Sequence, residues 1–461
     1  METPKDSVVI WRHTFPVTCF LLLFIGAVYH VLFLRTFSHW WFEDDPVLFA
    51  LVRKVANPLR LFFDRGVIQG FSSYLVPMQL FSMWIDNAIA YRSVRFAQIH
   101  HLVSLQVTLI LLFSVLRGFG VTSRDALLLL LLWLCLPATI AVNEFLSARH
   151  YLEGFAWSLG AVLVAQKIGQ RPLAGAAPTI AFLFVLLAGA ALSKELYVIT
   201  VPVFLFFYLC SCRRYVAAVI ALLVIPFYGL YRVWIFGLGL GLRMPLVDAR
   251  AYFKFLGRFP YIFAGNAGGY IIIIALGLLC LWRFRNINLR IAGYVLVVVC
   301  SAFATIYPTT FAISPDWLLH GTWSRATFFV NTIILLGGGY WLGKTQPRST
   351  RAVALVLSAL ILISGAGTTA QEWQWAMDRY RFEGIYYLAH QNQLIYSELP
   401  AFWYLRGLHD LYAVPISHHV DFTARKQPLP AELSTFKTIW RYQSGKFVED
   451  RALFEELERN K

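Results

Sequence analysis

Three acidic residues, Glu43, Asp44 and Asp45, stand side by side in "TFSHWWFEDDPVLF", directly after the first apolar segment of the chain. Adjacent carboxylates can take a proton from a hydroxyl, or share a divalent cation through their oxygens. Three further clusters carry charge in apolar surroundings. Lys194 and Glu195 lie in "AALSKELYVITVP", Arg149, His150 and Tyr151 in "NEFLSARHYLEG", and Asp316, His320 and Arg325 in "ISPDWLLHGTWSR". A charge costs up to about 2.5–3.5 kcal/mol at mid-bilayer and less near the interface, so such groups face a cavity or one another. For Lys194 and Glu195 a snorkelling loop pair is the other reading.

The elements that must position these groups are membrane helices. Of 461 residues, 58% are apolar, 16% aromatic and 14% charged, with mean hydropathy +0.61; soluble domains are far more polar. The chain is expected to be an all-α polytopic membrane protein. Runs long enough to cross a bilayer fall at roughly 14–34, 99–116, 126–142, 151–166, 174–192, 197–212, 216–236, 268–282, 291–311, 326–343 and 352–369, about eleven spans in all. The first run has a basic flank and no small-residue cleavage site before "YHVLFLR", so it is expected to stay as a span.

Basic residues set the orientation. With a cytoplasmic N-terminus the inner connections hold Lys5 and Arg12, Arg117 and Arg124, Lys167 and Arg171, Arg213 and Arg214, Arg283 and Arg285, and Lys344 and Arg348. The C-terminus is then outside, and all four charged clusters fall on the outer face. The net charge of +15 reflects this topology and interfacial helices, and no nucleic-acid signal accompanies it. All six cysteines lie in expected spans, so no outer disulfide or thiolate metal site is expected. No Asn-x-Ser/Thr acceptor occurs, which favours a bacterial inner membrane facing a periplasm.

Two outer regions exceed turn length, residues 36–98 and a tail from about 370 to 461. The expected division is a catalytic membrane region, 1–370, and a small C-terminal periplasmic domain, 371–461. In the first loop Asp45-Pro46 reads as a helix cap followed by proline at the first helical position, opening "VLFALVRKVANPLRLFF". A second start at Ser73 to Pro77 opens "MQLFSMWIDNAIAYRSVRFAQ"; both stretches have the composition of helices in the membrane interface. The tail reads as mixed helix, ending in the amphipathic "VEDRALFEELERN".

Acid groups in one outer loop and cations in others suit transfer of a sugar from a lipid phosphate. The phosphate is already a good leaving group, so the reaction needs a carboxylate to deprotonate the acceptor and cations to hold the departing phosphate. At "FEDDP", the long first outer loop with its two interfacial helices, and "SKE" before "LYVITVP", the sequence resembles the GT-C superfamily of polyprenyl-phosphate-sugar glycosyltransferases, which includes protein O-mannosyltransferases and the bacterial aminoarabinose transferase of lipid A. The resemblance covers residues 10–370. It implies Asp44 as catalytic base, Asp45 or Glu43 as its acidic partner, and Lys194 at the donor phosphate with Arg149 and Arg325 as helpers. His150, Tyr151, Glu195 and His320 would line the site. The implied partners are a polyprenyl (undecaprenyl) phosphate sugar, the bilayer, and a periplasmic acceptor that is either surface polysaccharide or a secreted protein such as a pilin. Competing readings are a lipid-linked sugar flippase and a surface-glycan polymerase or ligase. A transporter would show internal repeats and mid-membrane charges, whereas these charges gather at span ends.

Overall fold

The computed structural model describes residues 19–31, 40–42, 44–71, 75–91, 93–170, 177–237, 328–329, 331–333, 335–337, 348–390, 393–397, 402–412, 419–421, 438–443 and 446–459. The expected spans at 268–282 and 291–311 lie outside them, as do Glu43, Asp316, His320 and Arg325. The chain forms two compact units, one of Met1–Thr36, Phe62–Gln79 and Ile99–Trp373, the other of Phe37–Leu61, Leu80–Gln98 and Gln374–Lys461.

The first unit is helical wherever described. It holds α1 (Cys19–Tyr29), most of α6 (Val94–Gly118), α7 (Ser123–Leu134) and α8 (Pro137–Glu144), then α9 (Arg149–Gln170), α10 (Ala177–Ser193), α11 (Leu196–Ser211) and α12 (Tyr215–Phe236). The long helix α13 (Arg348–Ala389) enters here and passes to the second unit from Gln374. α6, at 25 residues, and α12, at 22, are apolar and long enough to cross a membrane. α7 and α8 make a third span if counted together; they bend by 65° at Pro137, whose missing N–H cannot continue the ladder. By length and composition, then, two to three spans are present among the described residues, and a count of about eleven is not reached there. α1, α10 and α11 are apolar but shorter.

α9 to α12 run alternately up and down. α9 packs on α10 and α11, and α12 on α10 and α11. Small residues let them close in: a side chain at Gly154 of α9 would collide with the ring of Tyr197 and with Ser193. At one end of this bundle Gly169 meets Cys212, and the chain turns through Arg213 at φ 59°, followed by Arg214. The opposite end gathers the start of α9, the α10–α11 turn and the end of α12, where Tyr197 donates to the Tyr151 carbonyl at 2.5 Å.

The first-loop residues of this unit close over that second end. They include α3 (Arg60–Phe63) from Phe62, α4 (Arg65–Phe71) and the start of α5 (Pro77–Ala90). Gln69 donates to the Ile235 carbonyl at 2.6 Å, the Tyr231 hydroxyl to the Phe62 carbonyl at 2.6 Å, and Gln79 to the Ser147 carbonyl at 2.6 Å. The expected single amphipathic helix from Val47 to Phe63 is broken instead. α2 (Asp45–Arg53) ends at Lys54, and Asn57 turns the chain by accepting the Leu59 N–H before α3 begins.

The second unit carries α2, most of α5 and the tail. Helix α14 (Phe402–Tyr412) packs along α2. The tail also contains a four-stranded sheet of order β2-β1-β3-β4, from β1 (Ile395–Ser397), β2 (His419–Asp421), β3 (Ile439–Gln443) and β4 (Lys446–Asp450). β1 runs parallel to β2 and β3, and β3 is antiparallel to β4. This sheet adds to the helical class expected from sequence. The last helix, α15 (Arg451–Arg459), starts three residues later than the pattern suggested, because Val448 to Asp450 are paired in β4 and Asp450 caps it by accepting the Leu453 N–H at 2.9 Å.

Candidate active site

The acidic run lies in the second unit, in a turn that closes on itself. The Asp45 N–H donates to the Phe42 carbonyl at 2.8 Å, and the Phe42 N–H donates to Asp45 Oδ2 at 3.1 Å. Asp45 is thereby fully buried, while Asp44 is exposed. This differs from the expected cap: Asp45 is the first helical residue, Pro46 follows it, and Asp44 holds the cap position without a side-chain capping bond. The Asp45 carboxylate accepts the N–H of Phe42, three residues back, whereas Asp44 is exposed. It sits at a helix N-terminus, where unpaired N–H groups favour negative charge.

The tail frames this turn. Trp40 Nε1 donates to the Tyr404 hydroxyl at 3.0 Å and Trp41 Nε1 to that of Tyr412 at 2.9 Å. Tyr404 in turn donates to the Tyr380 carbonyl at 2.7 Å, and the Tyr380 ring lies 4.4 Å from that of Phe42. Burial above all, with Glu383, Tyr412 and Asp45 adding and the Trp40 hydrogen bond opposing, pushes the Tyr404 phenol well above its ordinary value. Tyr404 therefore keeps its proton and remains a donor. Further along α2, Arg53 donates to the Leu411 carbonyl at 2.9 Å, and Lys54 lies 3.5 Å from Asp410.

The cations lie in the first unit, at the end closed by the first-loop segment. Glu195, at the α10–α11 turn, is their centre. Its Oε1 accepts the Leu75 N–H at 3.0 Å and lies 3.6 Å from Arg232 of α12, while its Oε2 lies 3.7 Å from Lys194 Nζ. Lys194 Nζ also stands 5.3 Å above the Tyr151 ring. Two cations from different helices thus approach one carboxylate. The Lys194 side chain is 12% exposed and that of Arg232 22%, so both are largely desolvated yet reachable.

Arg149 occupies a neighbouring but closed network. Fully buried at the first turn of α9, it donates to His100 Nδ1 at 3.2 Å and lies 3.9 Å from Glu153. The other His100 nitrogen lies 3.9 Å from the same carboxylate. His150 Nδ1 lies 2.7 Å from the Ser147 carbonyl, which assigns the proton to that nitrogen. The structure thus brings Lys194, Glu195 and Tyr151 together and adds Arg232, Glu153 and His100, which sequence reasoning missed. Arg232 had a signal in the sequence, an arginine inside the apolar run "IPFYGLYRVWIF". Among the described residues, no group of three or more His, Cys, Asp or Glu is placed to hold a metal ion.

No protein-family model matches the chain, and no curated protein sequence matches it. Among solved structures, the chain is similar to ArnT from Cupriavidus metallidurans. The crystal structure of ArnT in the apo state aligns at a TM-score of 0.42 and 11% identity, over 97% of this chain and 99% of that one. ArnT bound to undecaprenyl phosphate aligns at a TM-score of 0.39 and 13% identity, over 97% and 98%. The likeness runs nearly end to end at low similarity.

Proposed function

We propose that the chain is a membrane glycosyltransferase that moves one sugar from a polyprenyl phosphate to an acceptor on the outer face of a bacterial inner membrane, with inversion at the anomeric carbon. The observation that carries this reading is the juxtaposition of Lys194 and Arg232 at Glu195, two largely buried cations at a bundle end closed by first-loop segments. Two largely desolvated cations side by side suit the oxygens of a phosphate, which accept charge-assisted hydrogen bonds.

In this reading Lys194 and Arg232 hold the phosphate of the donor and stabilise the charge that grows on it as the sugar departs. Glu195 sets the spacing of the two cations and is itself fixed by the Leu75 N–H. The closed partners of Arg149 give it a positioning role rather than a direct phosphate contact. Asp44, exposed at the start of α2, takes the proton from the acceptor hydroxyl. The acceptor oxygen then attacks the sugar from the face opposite the phosphate, so a single displacement inverts the centre. Undecaprenyl phosphate, the ligand in the second ArnT structure, belongs to the lipid class named here. Surface glycan and a secreted protein such as a pilin are the acceptor classes.

The test is purified full-length protein in lipid discs, given a panel of undecaprenyl-phosphate monosaccharides and envelope extract as acceptor. Release of free undecaprenyl phosphate is expected with at least one donor. Transport of intact donor without release would make the chain a flippase.

A further inference from the structure

We propose that Gly407, Tyr404 and Tyr412 of α14 are positioning residues for the acidic turn, so that the tail sets the place of the catalytic carboxylate as well as any contact with the acceptor. The inference rests on the glycosyltransferase reading in one respect only, the role given to Asp44.

One helix grips the turn from both sides. Before the turn, the indoles of Trp40 and Trp41 are held by the hydroxyls of Tyr404 and Tyr412, at 3.0 and 2.9 Å. After it, the backbone of α14 presses against the first turn of α2. A methyl group at Gly407 would lie 2.5 Å from the Val47 nitrogen and 2.9 Å from the Pro46 carbonyl carbon. Those are backbone atoms and cannot swing aside as a flexible side chain would, so a Cβ there must displace the helix that begins at Asp45. Tyr404 and Tyr412 lie three residues before and five after Gly407 on the same helix. The hydrogen bonds fix the chain entering the turn and the close approach fixes the chain leaving it. Asp44 stands between the two anchors. A base must lie within hydrogen-bond reach of the proton it removes, and a displacement of about 1 Å can cost about 10²-fold in rate.

The experiment compares the full-length parent, Gly407→Ala, Tyr404→Phe and the control Gly367→Ala, whose added methyl would meet nothing within 4 Å. Two readouts are taken: steady-state release of lipid phosphate from the undecaprenyl-phosphate sugar that the parent uses, and amide hydrogen exchange over residues 40–53. For Gly407→Ala, kcat is expected to fall about 10²-fold while the donor KM stays within about threefold, with exchange over 40–53 faster by about tenfold and unchanged elsewhere. Tyr404→Phe is expected to lower kcat roughly tenfold in the same pattern, and Gly367→Ala to match the parent. Parental kcat in both tail variants would overturn the proposal, and so would a rise in donor KM with kcat kept. If Gly407→Ala raises exchange throughout the chain, Tyr404→Phe decides by the same two readouts. If the parent releases no lipid phosphate from any donor, the enzyme reading fails by itself. Exchange over 40–53 then decides the anchoring claim alone, and parental exchange in Gly407→Ala overturns it.

Discussion

Asp44 and Asp45 are neighbours with opposite surroundings, and their substitutions should separate. Asp45 is buried and accepts the Phe42 N–H. Asp45→Asn keeps an oxygen for the Phe42 N–H but removes the charge that strengthens the bond, a loss of about 1 kcal/mol, and is expected to lower the thermal midpoint of the purified protein; an unchanged midpoint would deny its structural role. Lys194 is a matching case among the cations. Lys194→Ala is expected to weaken donor use by roughly 1.5–3 kcal/mol, read as a rise in donor KM with the acceptor KM unmoved, and equal donor KM would leave Lys194 as a partner of Glu195 only. Both residues stood out in the sequence because charge in an apolar context is rare. Arg232 stood in an apolar run as well, but its pairing with Glu195 joins separate helices and was not readable, and His100 and Glu153 gain their meaning only from contact with Arg149.

At the scale of elements, the first long loop divides its residues: α2 packs with the tail helix α14, whereas Phe62, Gln69, Leu75 and Gln79 bond to the ends of α9, α11 and α12 or the turns before them. Helix starts at prolines were legible, at Pro46 and Pro77, because proline at the first turn loses nothing. The break after Lys54 was hidden inside a continuous amphipathic pattern. The strands β1 to β4 are only three to five residues long and leave too little alternation to be read. Nor could the pairing of α2 with α14 be read, since it joins residues more than 350 positions apart, as in Arg53 with Leu411. Removing the chain after Trp373 takes away every tail partner of α2 while sparing the first-unit helices. The truncated protein is expected to insert in the membrane, lose transfer to its acceptor, and show α2 amides exchanging at rates near those of unfolded chain. Normal transfer by such a protein would dismiss the role of the tail.

Across the whole molecule, the alternation of α9 to α12 puts Arg213 and Arg214 at one bundle end and Lys194, Glu195 and Arg232 at the other. If the basic turns face the cytoplasm, as expected from sequence, the Glu195 cluster faces outward. A phosphatase active only in the periplasm is therefore expected to work when fused after Lys461 and to fail when fused after Arg214; the reverse pattern would place the cluster in the cytoplasm. Membrane class and the helices that carry the charges were legible because hydropathy reports them directly. The tail's sheet and the two-unit division arise from long-range packing, which hydropathy does not report. The account turns on a carboxylate that takes a proton from an acceptor while the sugar leaves a lipid phosphate. Its most direct measurement is the release of free undecaprenyl phosphate, with the anomeric configuration of the product, by the parent and by Asp44→Asn side by side. The account predicts release and inversion by the parent, and a turnover lower by about 10²–10⁴ in Asp44→Asn at unchanged expression. A retained configuration, or near-parental turnover in Asp44→Asn, would contradict it.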